Sequence, residues 1–481
     1  MSIKRKTLHG LIWSFMDNFV VLGVSFFIGV ILARVLSPRE FGLIGMTSFF
    51  ISLGQSIADS GFMDALIRKK NCTQIDYSTV FYFNIAVGLA WYIILVAISA
   101  LVASFFNEPQ LQILLPVIGL GVIFNALSLI QRTLLTKRLD FKLQTNISIA
   151  SSMISGIVGL ILAMKGFGVW SLVALTLTKN ALNTLLLWVW NGWKPIFTIN
   201  LDSLKELFGF GSKILLVGLI NTTYKNIYLA VIGKYISSME LGYYTRADAF
   251  NQLPSQNITN VIQRVSYPVL SSIREDIPKL KDGYRKLIKS TMLISFVLMI
   301  GMAAISKSMV LTLIGDKWLV SAEYLELLCF VGMFYPLHAL NLNMLNVRGR
   351  SDLFLRLEII KKTLAIPTIV VAIYFGVKMM IAVMIINSVI GLFLNSYWSG
   401  LFIGYSVMEQ INDIFPSFIL AISMGILVFL FGLSINMSPI ITLFAQIFIG
   451  GLFTIGIAEL TKLDSYIYLK NILFDQIRKK V

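Results

Sequence analysis

The sequence predicts an all-α membrane protein that crosses the bilayer many times, and three observations lead to this prediction. Of the 481 residues, 57% are hydrophobic and only 13% are charged, whereas a soluble domain carries about 25% charged residues. The mean hydropathy is +0.81. The apolar residues also fall into runs of about 18 or more, the length that a membrane-spanning helix requires. This composition argues against a soluble enzyme.

The apolar runs define fourteen predicted spans. The first six cover roughly 10–36, 41–66, 78–105, 111–135, 145–164 and 167–190. The next six cover roughly 210–236, 239–265, 287–308, 323–345, 355–375 and 377–404, and the last two cover 411–433 and 438–460. Very short turns join spans 1 and 2, spans 7 and 8, and spans 11 and 12.

The basic residues orient these spans. When residues near the span ends are counted with the adjoining connection, 30 of the 40 Lys and Arg residues belong to the N-terminus and the alternate connections that follow from it. Seven belong to the other connections, and 3 lie deeper inside spans. Because Lys and Arg concentrate in cytoplasmic loops, both termini are predicted to be cytoplasmic. The same bias explains the net charge of +16 without a nucleic-acid partner.

No pattern of residues predicts a catalytic centre. Neither a P-loop nor a nucleotide-binding fingerprint is present, which argues against an ATP-driven pump. The two cysteines, Cys72 and Cys329, indicate no disulfide framework, and the two histidines, His9 and His338, are far apart in sequence. We therefore expect no enzymatic activity, no bound metal and no cofactor.

The chain contains an internal repeat with an offset of 200 residues. Residues 35–42 read VLSPREFG and residues 235–242 read YISSMELG, so that Ser, Glu and Gly coincide at three positions. The repeat joins each span to the span six further on, which gives the two halves the same orientation. It predicts two lobes of six helices, 1–200 and 201–404, followed by a segment 405–481 with two further spans and a basic tail. In such parallel repeats the substrate site lies between the halves.

Spans two and eight each carry a stripe of polar residues at steps of three and four, which places the members of a stripe on one helical face. The stripes consist of Ser48, Ser52, Gln55 and Asp59 in span two, and of Asp248, Gln252, Ser255 and Thr259 in span eight. Polar side chains facing lipid are costly, so these faces are predicted to look into the bundle. They either line a wet cavity or only join helices by hydrogen bonds.

Charged residues inside the spans need a reason, because each costs about 2.5–3.5 kcal/mol at a helix centre. The cations are Lys179, Lys225 and Arg246, and the acids are Asp17, Asp59 and Asp248. These groups either pair between spans or line a cavity for an anionic substrate, and we favour the cavity, with Gln55, Gln252 and Asn221 as polar neighbours. Asp17 and Asp59 are candidates for carrying a coupling ion, H⁺ or Na⁺.

Six sequence motifs carry a resemblance to a known family. They read ARVLSPREFGLIGM (33–46), LDFK (139–142), GFGVWSLV (166–173), LGYYTRADAFNQLP (241–254), GDKW (315–318) and NVRGRSDL (346–353). With these motifs the chain resembles the polysaccharide transporter (Wzx-type) branch of the MOP superfamily, which also contains MATE antiporters and lipid II flippases.

The resemblance implies a MATE-like, V-shaped bundle of fourteen helices in the bacterial plasma (inner) membrane. Members move undecaprenyl-diphosphate-linked oligosaccharides to the outer leaflet by alternating access, for lipopolysaccharide, capsule or exopolysaccharide. Carried over by position, Arg246 binds the phosphate, with Lys225 and Lys179 as helpers. Tyr228 stands where many relatives have Asp, which argues against ion coupling through span seven.

The resemblance also implies certain partners. These are the lipid-linked oligosaccharide, membrane lipid and the glycosyltransferases or polymerase of the same pathway, and the protein itself is expected to be a monomer. Two alternatives stay open. A MATE-like cation or drug antiporter calls for net acidic residues in the cavity, whereas a non-transporting scaffold for glycosyltransferases predicts that neutralising the cavity charges leaves function intact.

Overall fold

The computed structural model describes residues 20–435 and 437–478, and the regular structure of these residues is entirely helical. The first unit of chain contains α1 (Val20–Val35), α2 (Pro38–Asp59), α3 (Phe62–Arg68), α4 (Gln74–Phe106), α5 (Leu111–Lys137), α6 (Phe141–Met164), α7 (Val169–Asn191) and α8 (Leu201–Tyr235). Then follow α9 (Ser238–Ser272), α10 (Ile277–Ala304), α11 (Ser306–Leu313), a 3₁₀ turn (Asp316–Trp318), α12 (Leu319–Gly332) and α13 (Tyr335–Val347). The chain ends with α14 (Ser351–Thr363), α15 (Ala365–Leu401), α16 (Val407–Ser434), α17 (Pro439–Leu460) and α18 (Asp464–Arg478).

These helices confirm the prediction of an all-α, multi-pass membrane protein. In the described residues, ten helical segments are long and apolar enough to cross a membrane. Helices α8 and α9 fall outside these ten, although each has 35 residues and is therefore about 50 Å long. The count of fourteen spans stays a prediction.

Helix α15 reverses direction at Gly376. This residue has φ 81° and ψ −176°, which interrupts the helix. Beyond it, the Asn387 amide donates to the Leu364 carbonyl at 2.9 Å and to Thr368 Oγ1 at 2.7 Å. In a straight helix, residues 364 and 387 would be about 34 Å apart. The helical segments on the two sides of Gly376 are therefore antiparallel, as expected for two spans joined by a very short turn.

The contacts divide the chain into two compact units, Met1–Gly242 and Tyr243–Val481. In the first unit, a buried aromatic and aliphatic cluster joins α3, α4, α5 and α8 at one end, and it includes Phe62, Phe81, Trp193 and Leu207. In the second unit, the buried Asn341 accepts hydrogen bonds from Tyr284 at 2.7 Å and from Ser399 at 2.5 Å, which joins α10, α13 and α15. The lobe boundaries taken from the sequence repeat stay predictions.

Candidate intramembrane site in the first unit

Helix α2 carries the polar face that the sequence predicts for span two. The helix begins after Ser37, whose side chain forms a reciprocal capping box with Glu40, a common start signal. It ends at Asp59, because Ser60 and Gly61 both have positive φ, 50° and 68°. Near this end, Ser56 Oγ lies 2.9 Å from Thr222 Oγ1 of α8. The polar face of α2 therefore meets α8 inside the first unit.

A cavity of about 300 Å³ lies between α2, α5 and α8. Seven of its nine lining side chains are polar or charged. The lining residues are Ser52, Gln55, Ser56, Asp59, Met63, Asn125, Leu129, Arg132 and Thr222. A cavity of this size is at the lower end of ligand-binding pockets, so it has room for a small polar group and not for a whole oligosaccharide. Gln55 and Asp59, two members of the predicted polar stripe, both line this cavity, and their predicted roles in substrate binding and ion coupling stay predictions.

Arg132 supplies a positive charge to this cavity from α5. Its guanidinium donates through Nη2 to Asn125 Oδ1 and, at 2.5 Å, to Ser128 Oγ. Both acceptors precede Arg132 on the same helix, so the side chain lies along α5 and points away from the C-terminal end of that helix. The Nε–H is buried and has no acceptor among the described residues. One strong donor of the guanidinium is therefore left for another partner.

Asp59 and Arg132 share the cavity, and the described residues contain no direct ion pair between them. The Asp59 Oδ1 atom is buried and has no hydrogen-bond donor in the described part of the chain. Leaving a buried polar atom without a partner costs about 1–3 kcal/mol. The cavity thus presents one unsatisfied acceptor and one unsatisfied donor, an arrangement that favours binding of a polar group.

Arg132 is not among the site residues that the sequence predicts, because it closely precedes Lys137, Arg138 and Lys142 and resembles part of the same basic cytoplasmic connection. A signal was present. Asn125, Ser128 and Arg132 follow one another at steps of three and four, the same spacing that identified the polar face of α2.

The other predicted residues of the first unit do not line this cavity. Lys179 is partly buried on α7. Asn221 and Lys225 lie one turn apart on α8 and are both exposed. Asp17 lies outside the described residues. The roles predicted for these residues stay predictions.

Three predicted residues belong to α9 in the second unit. Arg246 and Asp248 are partly buried, whereas Gln252 is exposed. The Gln252 amide donates to Asp248 Oδ2 at 2.5 Å, so these two side chains lie together on one face of the helix, as their spacing predicts. Their role in binding stays a prediction.

The fold and the cavity define a polytopic membrane protein with a polar site inside its helical bundle. Residues 31–323 match the family described as "Polysaccharide biosynthesis protein", and the chain belongs to this family. The resemblance to a family of polysaccharide biosynthesis proteins is thereby confirmed.

Individual relatives agree with this assignment. The chain is 25% identical to the teichuronic acid biosynthesis protein TuaB of Bacillus subtilis (strain 168), over 89% of each chain. It is 24% identical to the lipopolysaccharide biosynthesis protein WzxC of Escherichia coli (strain K12), over 82% of this chain and 81% of WzxC. Among solved structures, the lipid II flippase MurJ in an inward closed conformation superposes with a TM-score of 0.72 at 17% identity, over 97% of this chain and 100% of MurJ. This likeness shows a common fold.

Proposed function

We propose that the protein moves a lipid-linked, diphosphate-bearing oligosaccharide from the inner to the outer leaflet of the bacterial plasma membrane by alternating access. Membership of the polysaccharide biosynthesis family supports this function. So do the relatives, since TuaB and WzxC are named for the biosynthesis of teichuronic acid and of lipopolysaccharide and the structurally similar MurJ is named as a lipid II flippase.

The observation that carries the proposal is the Arg132 guanidinium in a polar cavity within membrane-spanning helices. Guanidinium groups bind phosphate with directed, charge-assisted hydrogen bonds. Such bonds are stronger away from water, because the local dielectric is lower. The hydroxyl and amide groups of Ser52, Gln55 and Asn125 line the same cavity and suit the hydroxyl groups of a sugar.

The predicted residues that lie outside the cavity of Arg132 are each proposed to act on the substrate at their own positions. Arg246, Lys225 and Lys179 attract the diphosphate, and Asp248, Gln252 and Asn221 contact the sugar. Asp59, together with Asp17, carries the coupling ion, H⁺ or Na⁺. In this proposal both termini are cytoplasmic, and the glycosyltransferases or polymerase of the same pathway act before and after the transporter.

The second candidate function is a MATE-like cation antiporter. The unsatisfied Asp59 Oδ1 atom in the cavity favours it, because a carboxylate attracts cations. The positive charge of Arg132 in the same cavity opposes it. Sensitivity to cationic drugs separates the two functions. If the protein is a flippase, a variant that lacks Arg132 loses polymer export and its drug resistance stays unchanged.

The test is performed in the bacterium that carries this chain, so that the native glycan is present. The gene is deleted and replaced by the wild type, Arg132→Ala, Arg132→Lys or the control Arg356→Ala, whose side chain is exposed outside the cavity. Surface polysaccharide and the amount of protein in the membrane are measured. We expect polymer with the wild type and Arg356→Ala, little or none with Arg132→Ala and partial export with Arg132→Lys. Full export by Arg132→Ala would overturn the assignment of this site.

A further inference from the structure

A second cavity, of about 580 Å³, opens at the end of α5. Its polar lining comes from the connection between α3 and α4 and from the last residues of α5, and it includes Lys70, Asn71, Thr73, Tyr77, Lys137 and Arg138. Three of these residues are cations, and none of the lining residues is acidic. We call this cavity the basic pocket.

Two acidic residues beside the basic pocket pair with Lys69. Lys69 Nζ lies 2.9 Å from Glu206 Oε2 and 3.4 Å from Asp76 Oδ1. The hydrogen bond to Glu206 is the main cause that raises the pKa of Lys69, with the charge of Asp76 adding to it. Both carboxylates pair with Lys69, whereas Lys70, Lys137 and Arg138 form no ion pair with another described residue.

Lys137 is held in place by neutral groups. Its ammonium donates to the Lys69 carbonyl at 2.8 Å, and it lies 2.9 Å from Cys72 Sγ and 3.3 Å from the Tyr77 hydroxyl. A thiol sulfur is a weak acceptor, so an anionic oxygen would replace it favourably. Lys70 and Arg138 are exposed at the rim, and Arg138 donates to Asn191 Oδ1 at 3.1 Å. The pocket therefore combines one fixed cation with two at its opening.

The basic pocket lies at the end of a helix that is long and apolar enough to cross the membrane, the place where lipid headgroups are expected. Lys137 is the last residue of this helix, α5. At the same end, Trp193 donates from its indole to Gln74 Oε1 at 2.8 Å, and tryptophan is enriched at membrane interfaces. By its Lys and Arg content this end faces the cytoplasm in the proposed orientation.

We propose that Lys70, Lys137 and Arg138 bind the phosphate of a lipid headgroup at the inner leaflet. Two lipids present this chemistry, an anionic phospholipid and the diphosphate carrier of the proposed substrate. In the second case the pocket is a docking site from which the substrate moves to the cavity of Arg132. Arg132 lies five residues before Lys137 on α5, which is about 7.5 Å along the helix. Binding is measured without transport, so the proposal can fail or hold independently of the proposed function.

The experiment uses the full-length protein in nanodiscs of phosphatidylcholine that contain small amounts of either phosphatidylglycerol or undecaprenyl diphosphate. Bound lipid is counted by native mass spectrometry. The test variant is the triple change Lys70→Ala, Lys137→Gln and Arg138→Ala. The matched control is Lys279→Ala, Arg356→Ala and Lys462→Ala, which removes the same charge from exposed positions.

We expect the triple variant to lose affinity by about tenfold or more for at least one anionic lipid, because each basic residue near an anionic headgroup contributes substantially. The control should bind as the wild type does. Loss for undecaprenyl diphosphate alone identifies a substrate docking site, loss for phosphatidylglycerol alone identifies a phospholipid site, and loss for both identifies a general phosphate site. Wild-type affinity for both lipids would overturn the proposal. If the triple variant does not fold, the single changes Lys70→Ala and Arg138→Ala at the exposed rim give the same comparison.

Discussion

Gly42 and Gly242 lie 200 residues apart in sequence, and each faces the backbone at the start of the other's helix. A Cβ atom on Gly42 would lie 1.7 Å from the Ser238 carbonyl oxygen, and one on Gly242 would lie 1.8 Å from the Pro38 carbonyl oxygen. Pro38 begins α2 and Ser238 begins α9, so the two contacts are equivalent under the internal repeat. The repeated SxxExG pattern of the sequence, with Gly two residues after Glu, thus marks a reciprocal helix crossing.

Glu108 reinforces this crossing. It accepts a hydrogen bond from Ser238 Oγ at 2.6 Å and one from Arg39 Nη2 at 2.7 Å. A single carboxylate just beyond α4 therefore joins the first turns of α2 and α9, where the glycines allow the two backbones to touch.

Replacing either glycine should destabilise the protein. Gly42→Ala and Gly242→Ala each place a methyl group in steric clash with a backbone carbonyl oxygen, so the helices must separate. Overpacking of this kind costs about 1–3 kcal/mol or more of the free energy of unfolding. We expect the double variant to lose less than the sum of the single losses, because both changes relax the same contact. Thermal unfolding in detergent measures the effect.

The controls for this prediction are Gly23→Ala and Gly218→Ala. A Cβ atom at either position meets nothing within 4 Å, and alanine favours a helix over glycine. These variants should be as stable as the wild type or slightly more so. Equal losses at Gly42 and Gly218 would contradict the reciprocal crossing.

We expect no substitution of Gly376 to be tolerated without a loss of stability, because of its backbone conformation alone. Its φ of 81° and ψ of −176° lie in a region that is essentially restricted to glycine, while a Cβ atom there meets nothing within 4 Å. Gly376→Ala and Gly376→Asn should both lower the unfolding temperature.

Gly192 provides the comparison for that prediction. It has φ 68° and ψ −2° at the end of α7, a left-handed conformation that asparagine tolerates, and its surroundings are also open. We expect Gly192→Asn to cost much less than Gly376→Asn. Similar losses at the two positions would show that the turn at Gly376 does not require its backbone conformation.

The sequence predicts only part of the site, because helical periodicity determines which residues share a face of one helix. The spacing of Gln55 and Asp59 places them on one face of α2, and the structure shows both lining a cavity. Periodicity does not determine which neighbouring helices complete that cavity. The contributions of Arg132 from α5 and Thr222 from α8 depend on tertiary packing, and the charge of Arg132 looked like part of the following basic connection.

The fold was easier to predict, because the membrane requires long apolar helices whatever their packing. The two predicted spans that meet at residue 376 illustrate this point, since the apolar run there is too long for one crossing and contains a glycine where the structure reverses. The length of α9 is harder to predict from the sequence. Its apolar content is low for a helix of 35 residues, and the apolar run alone indicated a shorter segment.

The cations predicted from the sequence give a separate test of the transport proposal. We expect Arg246→Ala to abolish export of the native polysaccharide while the protein still inserts, and Lys225→Ala and Lys179→Ala to reduce it. The physical reason is the loss of charge that attracts the diphosphate. Export and membrane insertion are measured as for Arg132, with Arg356→Ala as the control. Wild-type export by Arg246→Ala would remove that residue from the proposed site and leave the case for Arg132 unchanged.

Asp59 distinguishes a coupling role from a purely structural one. Asparagine keeps the size and polarity of the side chain, and it can neither exchange a proton nor neutralise a bound Na⁺. If Asp59 carries the coupling ion, Asp59→Asn should transport slowly, and collapsing the proton or sodium gradient should slow it no further, whereas the wild type should respond to one of these treatments. The exposed Asp282→Asn is the control and should respond as the wild type does. An Asp59→Asn variant that keeps the full gradient dependence would exclude Asp59 as the coupling residue, and its side chain would then serve only to hold a polar group beside Arg132.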